Sequence, residues 1–242
     1  MPEGPEIRIE ADRIARVLKD QVLDDVALNL PSLKRRRKRL VGARVTSVGP
    51  RGKAMLIGFD NGLTLYSHNQ LYGRWYVKPR GKLPVTNRSL RVALHTETHS
   101  ALLYSASEIE LLNDGQLAAH PFLAGLGPDI LDPSLTWREV ASRLADERFR
   151  RRALGSLYLD QKFLAGNGNY LRSETLFFAG LRWDAKPAEL SMSERNELAR
   201  QTLAVARRSY RTRGITTPDA TAKAMKAEGY PRGAYRFSVF SR

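Results

Sequence analysis

The chain opens Met1-Pro2-Glu3-Gly4-Pro5-Glu6, and these residue types can do chemistry at an electrophilic carbon. Met1 is normally removed when a small residue such as proline follows. Pro2 then carries a free secondary amine, which no other residue type offers at a chain end. Such an amine attacks an aldehyde-like carbon and forms an iminium ion, an electron sink that stays positive at any pH. Glu3 and Glu6 lie within one helical turn of it, the layout of an amine nucleophile beside a proton donor. The plainer reading is a helix start, since acidic residues favour the positive end of a helix.

Further along, Arg51-Gly52-Lys53 falls at a turn before a strand-like run, where Lys53 can reach a phosphate, move a proton or simply serve solubility. Asn69-Gln70-Leu71-Tyr72-Gly73 sits between two such runs. An amide, a leucine and a tyrosine on a loop tip suit a wedge that fills the gap left by an extruded base; the alternative is that Leu71 and Tyr72 turn into the core. Gly166-Asn167-Gly168-Asn169-Tyr170 lies between two helical patterns. Its glycines allow close approach of a phosphate, and Asn169 can cap the next helix or bind that phosphate beside the helix amides; a plain connection is the alternative. Lys34–Arg39, Arg148 with Arg150–Arg152, and Arg207, Arg208, Arg211 and Arg213 are basic clusters suited to backbone binding by counterion release, or to solvated faces.

The elements that must position these residues follow from pattern. Ile7, Ala11, Ile14 and Leu18 predict a helix over 3–19. Val45–Val48, Ala54–Phe59, Leu63–Ser67, Arg74–Lys78, Leu90–His95 and Ala101–Ser105 are β-rich runs at hairpin-like spacing, the signature of a sandwich or barrel. Gly127-Pro128-Asp129 and Asp132-Pro133 read as a linker. Helices are then predicted after a Thr136 cap through Leu144, over 153–163, from Asn169 to Ala179, and from the Ser191-Met192-Ser193-Glu194 capping box to about Tyr210. Residues 211–233 read as loop, and 235–240 alternate as a strand. The fold class is therefore α+β, with a β domain over 1–126 and a helical domain over 127–242. A positively charged cleft between them is the expected seat of a duplex.

Length and composition bound the partners. The 242 residues, 42% hydrophobic, suffice for buried cores, and 40 Lys and Arg against 25 Asp and Glu give a formal +15. That balance points to a polyanion, nucleic acid first and an anionic membrane surface second. No run of about 18 apolar residues and no signal peptide is present, so no membrane span is expected. The absence of cysteine excludes disulfides and cysteine-held metal within these residues and fits a cytoplasmic protein. His68, His95, His99 and His120 lack HExxH-type spacing, so no metal site is expected.

Four segments together resemble the family of formamidopyrimidine-DNA glycosylase and endonuclease VIII: Pro2–Glu6, Arg51–Ala54, Tyr66–Gly73 and Phe163–Arg172. The likeness runs through essentially the whole chain, and 66–73 resembles the endonuclease VIII branch rather than the purine-repair branch. It implies an antiparallel β-sandwich followed by a helix–two-turn–helix domain. It implies a bacterial, nucleoid-associated monomer that acts as DNA glycosylase and AP lyase on oxidised pyrimidines in duplex DNA. Pro2 would be the nucleophile, Glu3 the general acid, and Lys53 a phosphate contact that assists proton transfer. Gln70, Leu71 and Tyr72 would fill the duplex gap and Asn169 would bind phosphate, with Glu6, Arg172 and Glu174 in support.

Three departures bear on this. The family usually ends in a four-cysteine zinc finger whose arginine grips phosphate and helps the second elimination. This chain has no cysteine and ends where such a finger would begin. No cofactor is expected within these residues, and one zinc only where such a finger follows. Gly125 stands where the endonuclease VIII pattern tends to place a DNA-binding arginine, and Asn167 where an apolar residue is usual, which predicts a looser turn. The alternative of a different class is a binder of damaged or abasic DNA with little turnover, which would not need a free amine.

Overall fold

The N-terminal apolar stripe winds into α1 (Gly4–Leu18) in the computed structural model, which describes residues 2–241. Ile7, Ala11, Ile14 and Leu18 are all buried. Full burial of an isoleucine or leucine contributes about 1.5–3 kcal/mol, so this stripe, more than helix propensity, holds the helix. Met1, whose removal the chemistry of Pro2 requires, lies outside the described residues. The chain divides into two compact units: Pro2 with Ile7–Ala124, and Glu3–Glu6 with 125–242. The first turn of α1 thus belongs to the second unit.

The first unit holds eight strands: β1 (Asp25–Leu28), β2 (Val45–Arg51), β3 (Ala54–Phe59), β4 (Leu63–His68), β5 (Arg74–Pro79), β6 (Leu90–His95), β7 (His99–Tyr104) and β8 (Glu108–Asn113). They form two four-stranded sheets, ordered β1-β6-β7-β5 and β2-β3-β4-β8, with every pair antiparallel. Val26, Val92 and Leu103 of one sheet share a core with Ile57, Leu65 and Leu111 of the other, and α1 adds its stripe. This is a β-sandwich, as expected. The six runs read from the sequence became β2 to β7.

The second unit is helical. Its main elements are α2 (Trp137–Ala145), α3 (Asn169–Phe178), α4 (Met192–Arg211) and α5 (Asp219–Ala227). Thr136 caps α2 and Ser191 caps α4, each closing a capping box with the glutamate three residues on. Leu144, Leu171, Leu198 and Val205 lie in its core.

Four expectations are corrected. The helix over 153–163 shrinks to one turn, Leu154–Leu157, because the Leu159 and Asp160 amides bond to carbonyls three residues back and the Asp160 carboxylate takes the Lys162 amide. The supposed linker is tied down: Gly127 N donates to Gln161 O, Ile130 N to Ala165 O, and Ala165 N to Pro128 O. A Cβ at Gly127 would meet Lys162 O at 2.5 Å, so that approach requires glycine. The loop over 211–233 contains α5, a short helix with no fully buried residue. The strand over 235–240 is absent, because the Ser238, Val239 and Phe240 amides that would pair in a ladder donate to the Glu174 carboxylate instead.

Candidate active site

Glu3 is the best-held residue of the N-terminus. It is 4% exposed, and its Oε1 accepts from Tyr170 N at 2.9 Å while Oε2 accepts from Leu171 N at 3.2 Å. The carboxylate therefore occupies the N-terminus of α3, where unpaired amides and the helix dipole suit an anion. Asn169 does not take the capping role offered to it. The cap position is Gly168, with no side-chain cap bond, and Asn169 is the exposed first residue of the helix. Gly168 must be glycine, since a Cβ there would lie 2.3 Å from Glu3 Cδ. The preceding turn is closed by Gly4 N donating to Gly166 O at 2.8 Å, with Gly166 at φ +96°. Gln161 ties the same turn, accepting from Gly166 N and donating to Asn167 O. These bonds close the turn through its backbone, while the Asn167 amide atoms have no hydrogen-bond partner.

Glu6 accepts from Glu3 N at 3.1 Å and from the Tyr170 hydroxyl at 3.0 Å, and Arg236 Nη2 stands 3.9 Å from its other oxygen. Tyr170 has one hydroxyl proton; donated to Glu6, it leaves the oxygen to accept from Ser209, 3.0 Å away. Burial, then the charges of Glu6 and Glu3, push the Tyr170 phenol well above its ordinary range, so it remains a neutral donor. Glu174 is fully buried and accepts from Thr216 Oγ1 at 2.6 Å and from the three amides of 238–240. That fixes the segment whose Phe237 and Phe240 rings pack on Tyr170. The Arg172 side chain makes a long contact, 3.5 Å from Nη1 to Gly155 O. Pro2, half-buried, directly precedes Glu3 in the chain.

In the first unit, Lys53 sits on the two-residue turn between paired Arg51 and Ala54. Gly52 at φ +61° gives the turn its type II′ form. Ala54 pairs with His68 across β3 and β4. Burial first, and Lys53 beside it, hold the His68 imidazole below its ordinary pKa against the opposing Glu108 charge. A neutral ring lets Nδ1 accept from Gln70 N at 3.2 Å.

The 69–73 loop is set by its own contacts. Gly73 N donates to Asn69 O at 2.7 Å, and a Cβ at Gly73 would meet that oxygen at 2.6 Å. Asn69 Nδ2 donates to Glu10 at 2.8 Å. Gln70, at φ +49°, donates from Nε2 to Glu108 at 2.9 Å and accepts from Ser107 Oγ at 3.0 Å. Glu108 also accepts from Tyr66 OH at 2.7 Å, and Arg88 donates to the Tyr72 carbonyl. Leu71 and Tyr72 are 62% and 68% exposed, so they do not turn into the core.

Sequence reasoning missed Tyr170, Arg236, Glu108, Ser107 and Arg88. Tyr170 stood inside a quoted motif; nothing in the sequence marked the others. Among the described residues no group of three or more His, Asp or Glu side chains could hold a metal ion.

Comparison with known proteins bears on the fold and the family. The family model described as the formamidopyrimidine-DNA glycosylase N-terminal domain matches residues 1–107, and that of the formamidopyrimidine-DNA glycosylase H2TH domain matches 126–221. The chain is 48% identical to Endonuclease 8 of Klebsiella pneumoniae (strain 342) and 49% identical to that of Shigella flexneri. Each comparison spans 100% of this chain and 89% of the relative. Among solved structures, a complex of Lactococcus lactis Fpg with DNA containing an abasic site is similar at TM-score 0.72 and 17% identity, over 86% of this chain and 78% of that one. A Lactococcus lactis FPG mutant with Fapy-dG-containing DNA gives TM-score 0.75 and 16% identity, over 88% and 80%. At those identities the solved structures speak for the fold. With both family models matched and close to half the residues identical to full-length relatives, the chain belongs to the formamidopyrimidine-DNA glycosylase and endonuclease VIII family.

Proposed function

We propose that this chain is a bifunctional DNA glycosylase and AP lyase of base excision repair that removes oxidised pyrimidines through Pro2. The Pro2 nitrogen, freed of Met1, attacks C1′ of the flipped nucleotide. The bond to the damaged base breaks, and Glu3 gives the departing base its proton. The amine then gives up its proton, the C1′–O4′ bond breaks with O4′ taking a proton, and the opened sugar is left as an iminium that acidifies the C2′ proton. Loss of that proton shifts its electron pair into the C2′–C3′ bond, and the 3′ phosphate leaves by β-elimination. A second elimination can then release the 5′ phosphate. No step draws on a cofactor.

One observation carries this reading: the residue next to the amine is a buried carboxylate fixed by two helix amides and by the missing side chain of Gly168. Each oxygen of Glu3 has two lone pairs, so accepting one amide does not by itself prevent it from carrying a proton. Lys53 contacts phosphate and assists proton transfer. Gln70, Leu71 and Tyr72 enter the duplex from a loop already held in shape, and Asn169, exposed at the first position of α3, meets a phosphate. Glu6, Arg172 and Glu174 support the N-terminus and the helix that holds it. The enzyme works as a monomer on chromosomal DNA in the cytoplasm; no helix among the described residues is long and apolar enough to cross a membrane.

Glu3→Gln tests the assignment. It keeps the size of the side chain but cannot give up a proton as an acid. Base removal should fall by about 10²–10⁴-fold, the usual worth of general acid catalysis, while cleavage of a pre-formed abasic site persists. Equal loss of both steps would take Glu3 out of the proposed role.

A further inference from the structure

A groove of about 430 Å³ between α1 and β5 has no part in this chemistry; Arg13, Arg16, Arg74, Lys78, Trp75 and Tyr76 line it. Arginines of the basic runs are engaged within the fold: Arg37 on Asp25, Arg148 on Asp146, Arg152 on Asp160 and Arg211 on Asp219. The cations of the groove differ. Among the described residues, the side chains of Arg13, Arg16 and Lys78 make no hydrogen bond or ion pair, and Arg74 lies only over the Tyr76 ring, 5.1 Å from its centre. β5 ends its sheet, so the amides along one edge have no neighbouring strand. The one carboxylate in the lining, Glu10, accepts from Asn69 Nδ2. The groove is thus lined by hydrogen-bond donors and positive charge, which suits a ligand that only accepts: the oxygens of a phosphodiester.

We infer that this groove takes the sugar–phosphate backbone of the bound DNA beside the lesion, an inference that rests on the reading of 69–73 as the wedge. Arg74 follows Leu71 by three residues, at most about 11 Å of extended chain. Glu10, in the groove wall, also holds the base of the wedge through Asn69. A DNA strand carries one phosphate per about 3.4 Å of helix axis, so a backbone passing the wedge brings a phosphate within reach of Arg74. Arg13 and Arg16, one turn apart on α1, extend that track by about 4.5 Å.

The test uses the full chain with two double variants of surface side chains, Arg13→Gln with Arg16→Gln and Arg74→Gln with Lys78→Gln. Binding to a duplex carrying a stable abasic analogue is followed as salt is raised, and phosphates whose ethylation interferes with binding are mapped. Each variant should lower the slope of log K against log salt by about one for every phosphate that is no longer neutralised, and should erase interference at phosphates flanking the lesion. Wild-type slope and wild-type interference in both variants would overturn the assignment. So would an effect confined to vesicles of anionic phospholipid, which would make the groove a membrane-binding surface. The lyase reading fails separately, through absence of borohydride trapping in the wild-type protein, a readout that the binding assay does not use.

Discussion

At Gly168 there is no room for a methyl group. A Cβ would lie 2.3 Å from Glu3 Cδ and 2.4 Å from its Oε1, so the carboxylate would have to leave the amides of Tyr170 and Leu171. Gly168→Ala should destabilise the protein by about 1–3 kcal/mol through overpacking. Displacing Glu3 by an ångström should slow base removal by about 10²-fold. Thermal unfolding and a glycosylase assay measure the two effects, and an unimpaired rate would detach the position of Glu3 from the reaction. The sequence marked the types Pro2, Glu3 and Glu6, because amine and carboxyl chemistry is local. It did not mark Glu3 as a partner of residues more than 160 positions away, since that pairing arises only when the chain folds. Asn167 shows the same limit. It was visible as a polar residue in a turn, but not as a side chain 1% exposed with neither amide atom bonded to protein.

The 69–73 loop, proposed above as a wedge, shows what an element adds to its residues. Asn69, Gln70 and the Tyr72 carbonyl are each held from a different part of the first unit, by Glu10, by Glu108 with Ser107, and by Arg88. These contacts set the shape of the loop in the absence of DNA. Glu108→Ala removes the acceptor shared by Gln70 and Tyr66. Re-ordering a side chain on binding costs about 0.5–1.5 kcal/mol, so affinity for an abasic duplex should drop roughly 2- to 10-fold. Titration by fluorescence anisotropy checks this, and an unchanged Kd would show that the loop does not depend on that anchor. Hairpin strands were legible because glycine and asparagine mark their turns. β8 was not, because Glu108 and Glu110 are poor strand formers, although Ile109 and Leu111 alternate into the core. β1 is only four residues long and includes Asp25 and Ala27. The alternation of Tyr235, Phe237 and Val239 mimicked a strand, while the backbone amides there answer to a buried carboxylate that no local pattern reveals.

At the scale of the molecule, the formal +15 says that the partner is a polyanion but not where it is held. Many of the arginines that crowd the sequence are bonded within the fold, whereas those of the α1–β5 groove are not. Charge counted along a chain cannot separate the two. The central claim remains the amine. Borohydride reduces an iminium and locks the protein to DNA, so trapping on a duplex with an abasic site reads the intermediate directly. The N-terminus of the protein must first be verified free of Met1, with Pro2→Gly run alongside. A covalent adduct with the wild-type protein, and none or very little with Pro2→Gly, is the expected result. No adduct from a wild-type protein that has a free Pro2 and still binds the DNA, or equal adduct from both proteins, would contradict the account.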